Sequence, residues 1–174
     1  LNKLKLNMDK TEFILFGLAH NIKLHSSDHL TVGLSSVMPS SSVRNLGVHM
    51  DSTLSMNNHV SHLCKTLIFQ LRNISRIRRY LDIDSCNHIV RALVISRLDY
   101  GNSLLTGTTE TNINKLQRIQ NRAVRLICGL KRRDHVSPYR AELHWLHVKE
   151  RINFKLLSIL FQCVHKLAPT YSVS

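Results

Sequence analysis

The sequence predicts an α+β fold, in which a small N-terminal antiparallel sheet precedes a mostly α-helical bundle. Before about residue 55, short apolar runs alternate with polar residues, and after it apolar residues recur in steps of three and four. Hydrophobic residues make up 43% of the 174 residues, enough for a buried core. We therefore expect two domains, residues 1–54 and residues 55–174.

Three segments of the first domain are predicted to be strands. Residues 13–16 are an apolar run that ends at Gly17, and residues 30–34 alternate after a polar turn at Ser26-Ser27-Asp28. Residues 43–48 combine Val and Leu with period-two patterning. So few short strands need a layer of helices to cover one face.

Five helices are predicted in the second domain, from the apolar periodicity and the residues at the helix ends. Gly129 is a typical residue after a helix end, and Pro138 suits a first helical turn that Ser137 caps. The last helix is apolar on most sides and is expected at the centre of the bundle. The predicted ranges are 57–80, 84–98, 109–128, a short helix from Ser137, and 148–167.

A set of large apolar side chains on these helices is expected to form the core. Its members are Leu63, Leu67, Leu71, Ile119, Leu126, Trp145, Ile152, Leu156 and Leu160.

The charge of the chain is strongly positive and uneven. The formal net charge is +13, and residues 101–174 carry 12 Lys and Arg against 4 Asp and Glu. This balance favours a polyanionic partner, with nucleic acid as the first candidate.

Two predicted helices carry basic side chains opposite their apolar faces. Glutamate is nearly absent beside them, whereas a helix that only needs solubility usually mixes both signs four residues apart. Contact with a phosphate backbone is one interpretation, and a solvated basic face is the other. The basic residues are Lys65, Arg72, Arg76 and Arg79 on the first helix, and Arg118, Arg122 and Arg125 on the third.

Acidic, histidine and cysteine residues give little indication of catalysis or metal binding. The close acidic pairs are Asp9/Glu12 and Asp82/Asp84, and the second pair is better explained as a helix cap. The pairs His59/His62 and His144/His147 have HxxH spacing, but no partner pair for zinc accompanies them. The cysteines, Cys64, Cys86, Cys128 and Cys163, are expected to be buried free thiols.

The order of several segments resembles the C-terminal palm-end and thumb region of a reverse transcriptase from a non-LTR (LINE-type) retrotransposon. The resemblance covers nearly the whole chain. The segments that carry it are, in order, LKLNMDKTEFILFG, VRNLGVHMDSTLSMNNHV, SRLDYGNSLLTG, LQRIQNRAVRLI, LHWLHVKERINFKLL and APTYSVS.

The resemblance implies roles for the segments. Residues 1–17 would end the polymerase palm, residues 43–50 would be the primer-grip hairpin, and the chain from Asn57 would be the thumb and its extension. The basic helices would then follow the backbone of the RNA or DNA template–primer. Lys10 matches a lysine near the incoming nucleotide, a proton donor to pyrophosphate; an ordinary exposed turn lysine is the alternative.

The resemblance also implies what this segment lacks. The aspartates that bind Mg²⁺ in the full-length family enzyme would lie before Leu1, with the rest of the palm and the fingers. The segment alone is then expected to hold no cofactor and to be inactive as an RNA-directed DNA polymerase, since two-metal catalysis needs those carboxylates.

Two other functions stay open at this point: a helical protein-interaction module, and a degenerate remnant of a retroelement without selected function. No apolar run reaches the ~18 residues of a membrane span, and no secretory leader is recognisable. We therefore expect an intracellular protein, in the nucleus or cytoplasm, without a membrane or small-molecule partner.

Overall fold

The computed structural model describes residue 7 and residues 10–25, 28–33 and 35–169. The ends of the resemblance, including Thr170 and Tyr171, therefore lie outside the described residues, as do Asp9, the predicted turn residues Ser26 and Ser27, and Leu34. The chain forms two compact units, Leu1–His59 and Val60–Ser174, and the boundary between them falls in the first turn of a long helix.

The N-terminal unit contains one short helix and two separate two-stranded antiparallel sheets. In the first sheet Leu30 pairs with Val37, and in the second Ser42 pairs with Asp51. The elements are α1 (Ala19–Leu24), β1 (Leu30–Val32), β2 (Ser35–Val37), β3 (Ser42–Asn45) and β4 (Val48–Asp51).

One predicted strand of this unit is absent, and one helix was not predicted. Residues 13–16 do not form a strand; Phe13 makes an isolated bridge to Pro39, and Phe16 is 51% exposed. Helix α1 was not predicted, because it buries no residue and so has no apolar face to reveal it.

Residues 42–51 form a hairpin, where the residue pattern alone predicted one strand over residues 43–48. The pairing of Asn45 with Val48 leaves a two-residue turn. Both turn residues, Leu46 and Gly47, have positive φ, 46° and 86°, as a type I′ turn requires. Since Leu seldom takes that conformation, the pattern gave no turn signal there. The resemblance did imply a hairpin over residues 43–50.

The C-terminal unit is helical, so the predicted α+β fold is confirmed. A π-helical segment, residues 91–95, joins two α-helices into one continuous helix over residues 83–99. Short 3-10 turns follow the first long helix at 78–80 and the π-containing helix at 102–105. The α-helices are α2 (Asn57–Ile77), α3 (Ile83–Val90), α4 (Ser96–Asp99), α5 (Glu110–Cys128), α6 (Ser137–Glu142) and α7 (Val148–Val164).

Helix α5 is at the centre of this unit and packs against α3, α6 and α7. Thr109 caps its N-terminus by accepting a hydrogen bond from the Asn112 amide. Gly129 ends it with φ of 67°, a left-handed conformation that Gly adopts without steric penalty. Helix α6 begins at Ser137, so Ser137 is its first helical residue and not the predicted cap.

Most of the predicted core is buried, but the prediction for α7 was wrong. Leu160 is 50% exposed, and Leu126 and Leu156 are only half-buried. The buried residues of α7 are Val148 and Ile152, both in its N-terminal half. The helix therefore lies at the edge of the bundle and not at its centre. The predicted core residues that are buried are Leu63, Leu67, Leu71, Ile119, Trp145 and Ile152.

Candidate nucleic-acid interface

A groove between α2 and α5 brings together part of the two predicted basic stripes, Arg72 and Arg76 on α2 and Arg122 and Arg125 on α5. Its volume is about 540 Å³. Apolar residues, among them Leu71 and Leu126, form part of its lining, and no lining residue is acidic. Five arginines line it: Arg72, Arg76, Arg78, Arg122 and Arg125.

Three of these five arginines have exposed side chains without a bonding partner among the described residues. Arg72 and Arg76 lie one turn apart on α2, and Arg122 lies on α5. Within the described part of the chain, none of the three makes a hydrogen bond or ion pair. Like charges so close together repel one another, and a bound anion would relieve that repulsion.

Arg78 holds the two walls of the groove together. Its Nε donates to the Leu126 carbonyl at 2.8 Å, and its Nη2 donates to the Ile127 carbonyl at 2.8 Å. Its Nη1 donates to the Leu81 carbonyl at 2.6 Å. The last carbonyls of a helix have no partner within the helix, so Arg78 satisfies two of them on α5 and places a positive charge at its negative end.

Arg78 was absent from the predicted binding residues. Its bonds join residues 48 and 49 positions apart, and periodicity along one helix does not report such contacts. A weak signal was available, since an arginine just after one helix can reach the free carbonyls at the end of another.

Arg125 is half-buried at the edge of the groove. Its Nη2 donates to the Asp134 carbonyl at 3.3 Å, and its buried Nε has no hydrogen-bond partner in the described structure. Asp134 also closes the following loop by accepting a hydrogen bond from the Lys131 amide at 2.6 Å. This loop exposes Lys131, Arg132 and Arg133 directly after the groove residue Leu130.

The other predicted basic residues do not line the groove. Lys65, Arg79 and Arg118 are exposed on the surface of the C-terminal unit. The Arg79 guanidinium lies 4.6 Å from the centre of the Tyr80 ring, a cation–π geometry. Lys10 belongs to the N-terminal unit, where it is exposed and its amide donates to the Asn7 carbonyl at 3.2 Å.

Two aspartates of the helical unit, Asp82 and Asp99, have structural partners. Asp82 caps α3 as predicted, accepting a 2.6 Å hydrogen bond from the Ser85 amide, and this bond lowers the pKa of its carboxyl. Asp84 lies in the first turn of the same helix. Asp99 forms an ion pair with Arg151 of α7, with Nε and Oδ1 2.7 Å apart.

Across the described ranges, no three His, Cys, Asp or Glu side chains are close enough to hold a metal ion. Of the four free cysteines, Cys86 is buried and the others are half-buried. Burial raises the pKa of the Cys64, Cys86 and Cys128 thiols, which favours the unreactive protonated form.

No protein-family model, curated protein or solved structure matches this chain. None of the helices in the described part of the chain has both the length and the apolar character that crossing a membrane requires.

Proposed function

We propose that this chain is the nucleic-acid-binding C-terminal part of a non-LTR-type reverse transcriptase and that the arginine groove holds the sugar–phosphate backbone of a template–primer. The observation that carries the proposal is the meeting of α2 and α5 arginines around one groove without a carboxylate. Guanidinium groups suit phosphate oxygens, because their planar N–H groups can donate in pairs. Such contacts carry no sequence information.

By the resemblance, the groove would belong to the thumb of the proposed enzyme. The segment LQRIQNRAVRLI lies within α5 and supplies the groove residues Arg122 and Arg125. In the resembled thumb, such helices follow the template–primer behind the palm. The hairpin of β3 and β4 occupies residues 42–51, where the resemblance puts the primer grip. Lys10 remains the proposed proton donor near the incoming nucleotide.

A specific observation also favours the protein-interaction alternative. Helix α7 exposes a row of large apolar side chains, including Phe154, Leu157 and Phe161, which a partner protein would cover. Arginine side chains bind carboxylates as well as phosphates, so the groove by itself fits either kind of partner. The family resemblance favours nucleic acid, and the two partners are compared directly below.

The test of the groove is the salt dependence of binding to an RNA–DNA primer–template duplex, followed by fluorescence anisotropy. Each phosphate contact contributes roughly 0.9 to the slope of log affinity against log salt on B-form DNA, and a comparable term is expected here. The combined Arg72→Gln, Arg76→Gln and Arg122→Gln variant should flatten the slope by about two to three. Glutamine keeps the helix propensity, so the fold is retained.

The matched control removes the same number of positive charges outside the groove. We expect the combined Lys65→Gln, Arg79→Gln and Arg118→Gln variant to keep most of the slope, because these side chains do not line the groove. If both variants flattened the salt slope equally, the groove would contribute no more to binding than the rest of the positive surface. Equal binding of the parent to polyglutamate and to the duplex would favour the acidic-protein alternative.

A further inference from the structure

A basic loop, residues 131–133, lies at the rim of the arginine groove. The groove residues Gly129 and Leu130 come directly before it. Arg125, which lines the groove, donates from its Nη2 to the Asp134 carbonyl at 3.3 Å. The loop is therefore attached to the groove by one of the groove's own side chains. The loop cations are Lys131, Arg132 and Arg133.

Asp134 gives this loop a fixed backbone conformation. Its Oδ2 accepts a hydrogen bond from the Lys131 amide at 2.6 Å, and its own amide donates to the Lys131 carbonyl at 3.2 Å. Val136, only 7% exposed, holds the chain after the turn in the core. Because both backbone groups of Lys131 are bonded, the loop has less conformational freedom to lose on binding than an open loop would have.

The three cations of this loop have no side-chain partner in the fold. Their side chains are exposed, and within the described ranges none of them makes a hydrogen bond or ion pair. Positive charge beside the C-terminus of α5 also offsets the negative end of that helix. That role needs charge near Gly129 but no fixed turn, so it does not account for the hydrogen bonds of Asp134.

We propose that this loop continues the arginine groove beyond the end of α5 and binds the same polyanionic backbone, with Asp134 as the positioning residue that presents the loop cations. Lysine and arginine side chains offer only hydrogen-bond donors and positive charge, which suits an anionic backbone. The inference rests on the proposed function, which makes that backbone the sugar–phosphate chain of a template–primer.

The first experiment removes the loop cations and measures binding to the RNA–DNA duplex by fluorescence anisotropy over a range of salt concentrations. The loop variant combines Lys131→Gln, Arg132→Gln and Arg133→Gln. It should flatten the slope of log affinity against log salt by about two to three, since each phosphate contact contributes roughly 0.9 on B-form DNA. The control variant of the groove test has lost the same number of charges. Equal slopes in these two variants would overturn the role of the loop.

Substitutions of Asp134 separate the position of the loop from its charge. Asp134→Ala and Asp134→Asn remove the same negative charge, but only asparagine keeps an oxygen that can accept from the Lys131 amide. On charge alone, both variants would bind the duplex more tightly than the parent and by the same factor. We expect Asp134→Ala to bind at least about threefold more weakly than Asp134→Asn, because its loop must be ordered on binding. Equal affinities of the two variants would overturn the positioning role.

The same two substitutions in the loop variant show whether Asp134 acts through the loop cations. With those cations replaced, alanine and asparagine at position 134 should give equal affinities. A remaining difference would mean that the carboxylate acts through Arg125 and the groove, and would overturn its assignment to the loop. The melting temperature of the loop variant should stay close to that of the parent. A lower melting temperature with an unchanged salt slope would assign the loop cations to the end of α5 and overturn the proposal.

The groove variant distinguishes failure of this inference from failure of the proposed function. Combining the Arg72→Gln, Arg76→Gln and Arg122→Gln changes with the loop variant should flatten the slope further, because the two sets of residues are different. An unchanged slope in the loop variant, beside a flattened slope in the groove variant, would overturn the loop alone. The reverse pattern would overturn the groove and retain the loop as the site of contact. Absence of duplex binding by the parent would overturn both proposals.

Discussion

At the scale of single residues, Asp51 organises the loop between the second hairpin and α2. Its Oδ1 accepts hydrogen bonds from the Thr53 hydroxyl at 2.9 Å and the Ser55 amide at 2.7 Å, and its Oδ2 accepts one from the Ser55 hydroxyl at 3.0 Å. Burial alone would raise the pKa of this carboxyl, but these hydrogen bonds outweigh it and lower the pKa below its usual value.

The lowered pKa of Asp51 predicts loss of local stability in acid. A carboxyl whose pKa is lower in the folded state stabilises that state above the unfolded pKa of about 3.9, and loses this contribution as the pH falls through the folded pKa. We expect Asp51→Asn to destabilise the loop by about 1–3 kcal/mol near neutral pH and to remove the acid dependence. Amide hydrogen exchange at Ser55 measures this directly.

Asp84→Asn is the control for that prediction, since Asp84 is exposed and makes no hydrogen bond within the described residues. Exchange at Ser55 should be unchanged in this variant. If the Ser55 amide exchanged hydrogen at the same rate in Asp51→Asn as in the parent, the role assigned to the carboxylate would be contradicted.

Residue roles that depend on neighbours in sequence were predictable, and those that depend on distant segments were not. The Asp82 cap and the Gly129 helix end follow from residue type and position, and both are confirmed. Gln120 is fully buried, and its amide group donates to the Leu146 carbonyl at 2.9 Å, 26 residues away. Glutamine is usually a surface residue, so composition and periodicity could not identify this role.

At the scale of elements, the bounds of α2 and α5 were nearly predictable, but their packing was not. Each helix has a strong apolar stripe, and the stripe gives both its ends and its buried face. How the two helices are rotated and spaced against each other determines whether arginines of both helices line one groove. Contacts such as those of Arg78 help to determine this arrangement, and they join residues that are far apart in the sequence.

The Arg78 contacts predict that this side chain stabilises the packing of α2 against α5. Arg78→Gln should lower the free energy of unfolding by about 1.5–3 kcal/mol, because two carbonyls lose charge-assisted partners. Arg78→Lys should recover little of this, since one ammonium group cannot reproduce the planar set of N–H groups. Urea unfolding followed by circular dichroism gives the values.

Arg79→Gln provides the comparison, because Arg79 is exposed and adjacent to Arg78. We expect a change within about 0.5 kcal/mol, as for most surface substitutions. A comparable loss of stability in both variants would mean that local charge near the end of α2, and not the carbonyl bonds, stabilises the packing.

At the scale of the whole molecule, the apolar periodicity predicted the fold class correctly, whereas the apolar composition of the last helix predicted its position wrongly. The change of period near residue 55 reflects local geometry, so it survives in the structure. The apolar composition of α7 suggested a central helix, but composition does not specify which neighbours cover a surface. The described bundle covers only one end of α7, and the exposed remainder includes Leu157 (62%) and Phe161 (57%).

This exposed surface predicts limited solubility despite the net charge of +13. Replacing Leu157 and Phe161 together with Gln should reduce binding of the dye ANS and light scattering at high protein concentration. The free energy of unfolding should change by only about 0.5 kcal/mol, because neither side chain is buried. Ile152→Gln, at 3% exposure on the same helix, should instead cost several kcal/mol, since it buries an unpaired amide. If the double variant were destabilised as much as Ile152→Gln, the outer face of α7 would be packed inside the protein and not exposed to solvent.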